Sequence, residues 1–187
     1  MLYSTDITDT NIITKVKLFA QGSNNNYQKR NQFNQAKIQN DIFTGKMSEF
    51  AVHEYLEDKV EELSEPDLKI YKGRQKRFDF DLTANNYNFH VRSQTKRAAE
   101  EYGESWTFQF SDSQGNGCDK NIFGGYSEND YVCFVLSDES NYKIEKIVKV
   151  SEIQKKFALP RIKRLQDFKR VIYLEDIKEI KDAELKK

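Results

Sequence analysis

The chain has 187 residues, thirty of them basic and thirty acidic, for a net charge of zero. That length is one domain, or one domain with a small appendage, and the even balance excludes a histone-like polycation while leaving room for charge segregated onto one surface. Thirteen Phe and ten Tyr supply the core that a disordered chain lacks, and no stretch approaches the ~18–20 apolar residues of a membrane span.

In chain order, Met1–Thr14 is largely polar and carries no basic-then-apolar leader pattern. Asn24–Asn40 is thick with Asn and Gln but punctuated by Tyr27, Phe33, Ala36 and Ile38, a loosely helical spacing that predicts a polar helix or ordered arm. Residues 1–42 are accordingly read as an N-terminal polar helical arm. From Thr44-Gly45, the residues Met47, Phe50, Ala51, Val52, Tyr55, Leu56 and Val60 recur at three-to-four spacing and predict an amphipathic helix over 43–60. Eight acids against one Lys between Glu49 and Asp67 read as a solvated helix face and an acidic loop.

Strand signals follow. Leu68–Tyr71 alternates, and Phe78-Asp79-Phe80-Asp81-Leu82 alternates with both aspartates on one face. Asn85-Asn86 is a tight-turn signal, and Tyr87–Arg92 is the return strand, so 78–92 predicts a β-hairpin. Trp106, Phe108 and Phe110 mark another strand, Ser111–Gly125 a long polar loop, and Tyr131–Leu136 a buried strand paired with Tyr142–Val150. Ser151 with Gln154 reads as the start of a short helix 152–158. Arg170–Leu174 reads as a last strand before a charged helical tail. Residues 43–150 are taken as the core and 151–187 as its basic, helical C-terminal extension.

The hairpin carries the chemistry. His90 and Arg92 share a face of the return strand, with Gln94 beyond them, and that face is expected to meet Asp79 and Asp81. Glu49 on the preceding helix is placed to join them. Each has a plainer reading: wet-face aspartates, a solvated helix glutamate, a hydrogen-bonded strand histidine. Order and spacing together are what single them out. His53, one turn after Glu49, reads as a helix residue rather than a ligand, and Pro66-Asp67 starts a different strand.

Gly45-x-x-x-Glu49, then Asp81, then His90-Val91-Arg92-x-Gln94 resembles the PD-(D/E)xK nuclease superfamily over about residues 43–136. The resemblance implies an α/β fold with a restriction-endonuclease-like core, a mixed β-sheet with a central hairpin flanked by helices. It also implies a metal-dependent DNA endonuclease of phage or restriction type. Asp81, Glu49, Asp79 and the Val91 carbonyl would be the metal ligands and Mg²⁺ the ion. Arg92 would fix the scissile phosphate, and Gln94 would orient water or phosphate. Two positions depart from the family pattern. His90 stands where an acid is usual, and an imidazole ligand there favours Mn²⁺ over Mg²⁺. Arg92 stands where Lys is usual and, always charged, cannot serve as a base.

Basic residues Lys69, Lys72, Arg74, Lys76 and Arg77 crowd the approach to the hairpin. Lys155, Lys156, Arg161, Lys163, Arg164, Lys169 and Arg170 form a second cluster against Asp167 alone. Such segregation suits a phosphate-tracking surface, and DNA is the expected partner. A homodimer is the assembly that symmetric duplex cleavage would require. Cys118 and Cys133 are too few for a disulfide framework or a four-thiolate site. With no membrane span they point to the cytoplasm of a bacterium or phage-infected cell. Two rivals remain open: a degenerate member of the same fold that binds DNA without cutting, and a phage-type protein–protein inhibitor module.

Overall fold

The computed structural model describes residues 1–28, 34–71, 80–111 and 119–187. In chain order the elements are β1 (Tyr3–Asp6), α1 (Thr10–Gln28), α2 (Gln35–Leu56), β2 (Leu82–Ala84), β3 (Tyr87–Thr95), α3 (Lys96–Tyr102) and β4 (Ser105–Gln109). There follow α4 (Lys120–Phe123), β5 (Asp130–Asp138), β6 (Asn141–Lys149), α5 (Val150–Ile153), β7 (Lys169–Tyr173) and α6 (Leu174–Ile177). A five-stranded mixed sheet runs β1-β6-β5-β3-β2, and β4 pairs with β7 in a separate ribbon. Only β3 and β5 are parallel; the other neighbours are antiparallel. Among the described residues no helix is long and apolar enough to cross a membrane.

β5 lies at the centre because its sequence is apolar on both faces, and Asp130 to Ser137 are all buried. Tyr131, Cys133 and Val135 join Phe89 and Val91 of β3 on one face, where Met47, Ala51, Val52 and Leu56 of α2 cover them. Val132 and Phe134 project from the other face into a second core with Trp106, Phe108, Ile172 and Ile153. A register shift between Phe134 and Val135 is what lets both Ile144 and Ile147 of β6 reach the α2 face. The Trp106 indole N–H donates to the Val135 carbonyl at 2.9 Å, so the β4–β7 ribbon is pinned as well as packed.

The α2 helix begins at Gln35, eight residues before the expected start. Asn34 caps it, its side chain accepting from the Lys37 N–H at 3.0 Å. The polar face of this first part is solvent-exposed, while Ile38 and Ile42 bury one turn apart against Ala20 of α1. The Asn85-Asn86 turn and β3 fall where the alternation puts them. The hairpin itself is not central, however. β2 is three residues long and forms the sheet edge, because the polar positions of β3 leave the middle place to the apolar β5. Residues 68–71 are irregular rather than a strand. The helix after β6 starts at Val150, with Glu152 accepting from the Lys149 N–H. The tail beyond α6 has no regular structure. β1 pairs with β6, with Tyr3 opposite Ile144, so the N-terminal segment supplies an outer strand of the main sheet.

Candidate functional site

β2 ends early, and the chain before it leaves the ladder at Asp81. The Asp81 N–H donates to the Phe89 carbonyl at 2.9 Å. Its carboxylate Oδ2 accepts the Val91 N–H at 2.8 Å, supplying the partner that a longer β2 would have given this strand-edge donor. Asp81 therefore has a structural task at the position proposed for a metal ligand.

Arg92 is the hub beside it. Its Nη1 lies 3.4 Å from Asp81 Oδ2 and 3.1 Å from the Val91 carbonyl, and its Nη2 lies 3.2 Å from Asp119 Oδ2. Three oxygens from three points in the chain thus converge on one guanidinium, whose central carbon lies 5.4 Å from the Phe108 ring centre. Asp119 Oδ2 also accepts the Gln109 N–H at 3.1 Å, tying β4 to the start of α4. All three side chains are only partly exposed, at 22%, 25% and 15% for Arg92, Asp81 and Asp119, so water weakens these pairs less than it would at an open surface.

His90 sits next to this hub and is 4% exposed. Its ring lies 4.9 Å from that of Phe80, and its buried Nε2 has no hydrogen-bond partner. Burial above all, then the charge of Arg92, pushes its pKa down to about 4, against an opposing pull from Asp81, Asp119 and Asp130. The imidazole is neutral at physiological pH.

The Gln94 side chain is engaged by the backbone. Its Nε2 donates to the Gly103 carbonyl at 2.9 Å and its Oε1 accepts the Ser105 N–H at 2.8 Å, bracing the turn between α3 and β4. Glu49 is buried on α2, with both oxygens 2.7 Å from Lys46 Nζ. Asp79 lies outside the described residues, as do Lys72, Arg74, Lys76, Arg77 and Cys118. His53 Nε2 lies 3.8 Å from Glu65 Oε1, and Asp67 accepts from its own Lys69 N–H and the Tyr71 hydroxyl. Among the described residues no group of three His, Cys, Asp or Glu side chains is placed to hold a metal ion.

Sequence reasoning missed Asp119. It stands at the far end of a polar loop and belongs to no alternation pattern; only its place as the residue before α4 distinguishes it. Compared with family models, with curated proteins and with solved structures, the chain gives no significant match in any of the three.

Proposed function

We propose that the protein binds nucleic acid as a member of the restriction-endonuclease-like class in which an arginine, rather than a metal ion, holds the oxygen cluster beside the hairpin. The observation that carries this reading is the convergence of Asp81 Oδ2, the Val91 carbonyl and Asp119 Oδ2 on the Arg92 guanidinium. A divalent ion needs several oxygens around one point. Here those oxygens already have partners, in Arg92 and in the N–H groups of Val91 and Gln109. As folded, this donor set does not fit Mg²⁺. Support for the nucleic-acid partner comes from the C-terminal cations: Lys155, Lys156, Lys163 and Arg164 are exposed and stand in a run of seven bases against one acid, as a phosphate backbone requires.

One observation favours a second reading, a divalent-metal-dependent DNA endonuclease using Mg²⁺ or Mn²⁺. A neutral, buried nitrogen without a partner at His90 is what a softer-ion ligand looks like before its ion arrives. Plasmid nicking with Mg²⁺ and with Mn²⁺, run beside salt-dependent DNA binding, decides between the two. Binding that weakens with salt and no nicking with either ion is the expected result. Nicking that needs metal and disappears in Asp81→Asn would replace the proposal with the second reading. A chain that binds no DNA at low salt would end both.

A further inference from the structure

On the side of the β4–β7 ribbon away from the second core, a cleft of about 330 Å³ opens between the ribbon, the end of β3 and residues 160–165. Thr107 and Tyr173 form its floor, Gln94 and Tyr102 line one wall, and Lys37 and Asp41 of α2, paired with each other at 3.0 Å, also line it. Arg161 closes the other side. Its guanidinium lies 5.1 Å from the Tyr173 ring centre, and its Nη1 donates to the Tyr102 carbonyl at 3.2 Å. Gly103, the residue after Tyr102, has φ +83° and lies under that guanidinium, with Arg161 Nη1 3.5 Å from where a Cβ would be. Glycine is the residue that adopts this backbone and leaves the approach open. Gln94 braces the same turn through the Gly103 carbonyl and the Ser105 N–H. Arg161 is thus held between the Tyr173 ring and the Tyr102 carbonyl at the side of the cleft.

Beyond the Lys37–Asp41 pair, the charge lining the cleft is that of Arg161. Among the described residues no carboxylate pairs with Lys155, Lys156, Arg161, Lys163, Arg164 or Arg170. Arg170 is stacked on the exposed Phe110 at 3.8 Å and tied to the carbonyls of Gln166 and Lys169. A concave slot lined by two tyrosines and by an arginine without a carboxylate partner, with the exposed Lys163 and Arg164 following in the chain, suits a flexible strand, whose phosphates follow the cations and whose bases stack on the rings. A duplex is read instead by an element that projects into its groove, and the described part of this face is concave. The volume is at the small end of the ~300–1,000 Å³ range of ligand pockets, room for one nucleotide unit.

We propose that this cleft is the seat of a single-stranded nucleic-acid segment, with the backbone on Arg161 and the neighbouring Lys163 and Arg164 and one base against Tyr102 and Tyr173. The proposal rests on the nucleic-acid reading above and names the form of that ligand and its place, away from the Arg92 hub.

The test is fluorescence anisotropy of the full chain against a labelled oligothymidylate and a hairpin duplex of equal length, across a salt series. The parent should bind the single strand more tightly. In Arg161→Gln/Arg164→Gln the slope of log K against log salt should fall by about 1.4, two single-strand phosphate contacts. Thr107→Trp, which fills the floor without touching charge, should weaken single-strand binding about tenfold or more at an unchanged slope, the loss of one stacked base. Thermal melts check that each variant folds, and Arg164→Gln alone, at an exposed position, keeps a charge test if the double variant does not. A parent that binds nucleic acid while both Arg164→Gln and Thr107→Trp bind like it would overturn the cleft and leave the general reading standing. So would a preference for the duplex. A parent that binds neither probe removes the general reading, and the cleft with it.

Discussion

Arg92 and Asp119 are 27 positions apart in sequence, yet their side chains meet at 3.2 Å. The contact joins a strand of the main sheet to the start of α4 and, through the Gln109 N–H, to the β4–β7 ribbon. A cation at this point is therefore part of how the two layers are fastened.

Removing it should be costly. Arg92→Ala leaves the Asp81 and Asp119 carboxylates partly buried without their cation, and we expect a loss of about 1–3 kcal/mol in urea denaturation. The same substitution at an exposed strand position would cost far less. Arg92→Lys should fall between, since an ammonium keeps the charge but not the fork that reaches both carboxylates. If guanidinium and metal compete for these oxygens, Mn²⁺ should raise the melting temperature of Arg92→Ala and leave the parent unchanged. Equal melting of Arg92→Ala with and without Mn²⁺ would argue that the oxygens cannot gather around an ion.

His90 makes stability depend on pH in a defined direction. Its folded pKa, about 4, lies below the ~6.5 of an unfolded histidine, so below pH ~6.5 the unfolded chain takes up a proton that the native chain refuses. Stability from this residue is thus complete above pH ~6.5 and drains away as pH falls toward 4. Between pH 7.5 and 5 the contribution lost is about 2 kcal/mol. His90→Gln should remove that slope, and parallel pH profiles for the two proteins would show that His90 is not its source.

Gln94 should behave as a brace. Gln94→Ala abandons the Ser105 N–H on a buried residue and leaves the Gly103 carbonyl with the Ser105 hydroxyl alone, and a cost of about 1–3 kcal/mol in chemical denaturation is expected. Amide hydrogen exchange should localise the loss to residues 103–105. Protection there equal to the parent's would mean the turn holds without its amide.

Trp106 is the only tryptophan in the chain and is 1% exposed, so its fluorescence reports on the second core alone. Trp106→Phe leaves the Val135 carbonyl without its side-chain donor and thins the packing against Phe134. A loss of about 1–3 kcal/mol in thermal or urea melts followed by circular dichroism is expected. A variant as stable as the parent would assign that carbonyl another donor.

What the sequence disclosed follows from where the forces are local. The Asn85-Asn86 turn, β3, β5 and β6 are legible because alternation and apolar runs record which faces are buried. β1 escaped notice because its four residues alternate only between half-buried and exposed, and its partner Asn141–Ile144 lies far along the chain. The early start of α2 was hidden by Asn and Gln on its wet side, although Ile38 and Ile42 already stand one turn apart. At the site, Asp81 and Arg92 could be picked out by their register on the hairpin. Their partnership with Asp119 could not, because it is made by a long loop returning to the sheet. Nor could a one-dimensional pattern show that the Asp81 carboxylate is given to a backbone N–H, since that depends on β2 stopping after three residues.

That early stop bears on how the molecule avoids its own copies. From His90 onward, no strand among the described residues pairs with the outer edge of β3, and an unpaired strand edge is a template on which other chains add. Asp81 places a carboxylate on the Val91 N–H of that edge, occupying a donor an incoming strand would need, and Arg92 holds it there. Asp81→Ala should therefore turn a monodisperse solution into one that scatters light and binds thioflavin as concentration rises, at temperatures well below unfolding.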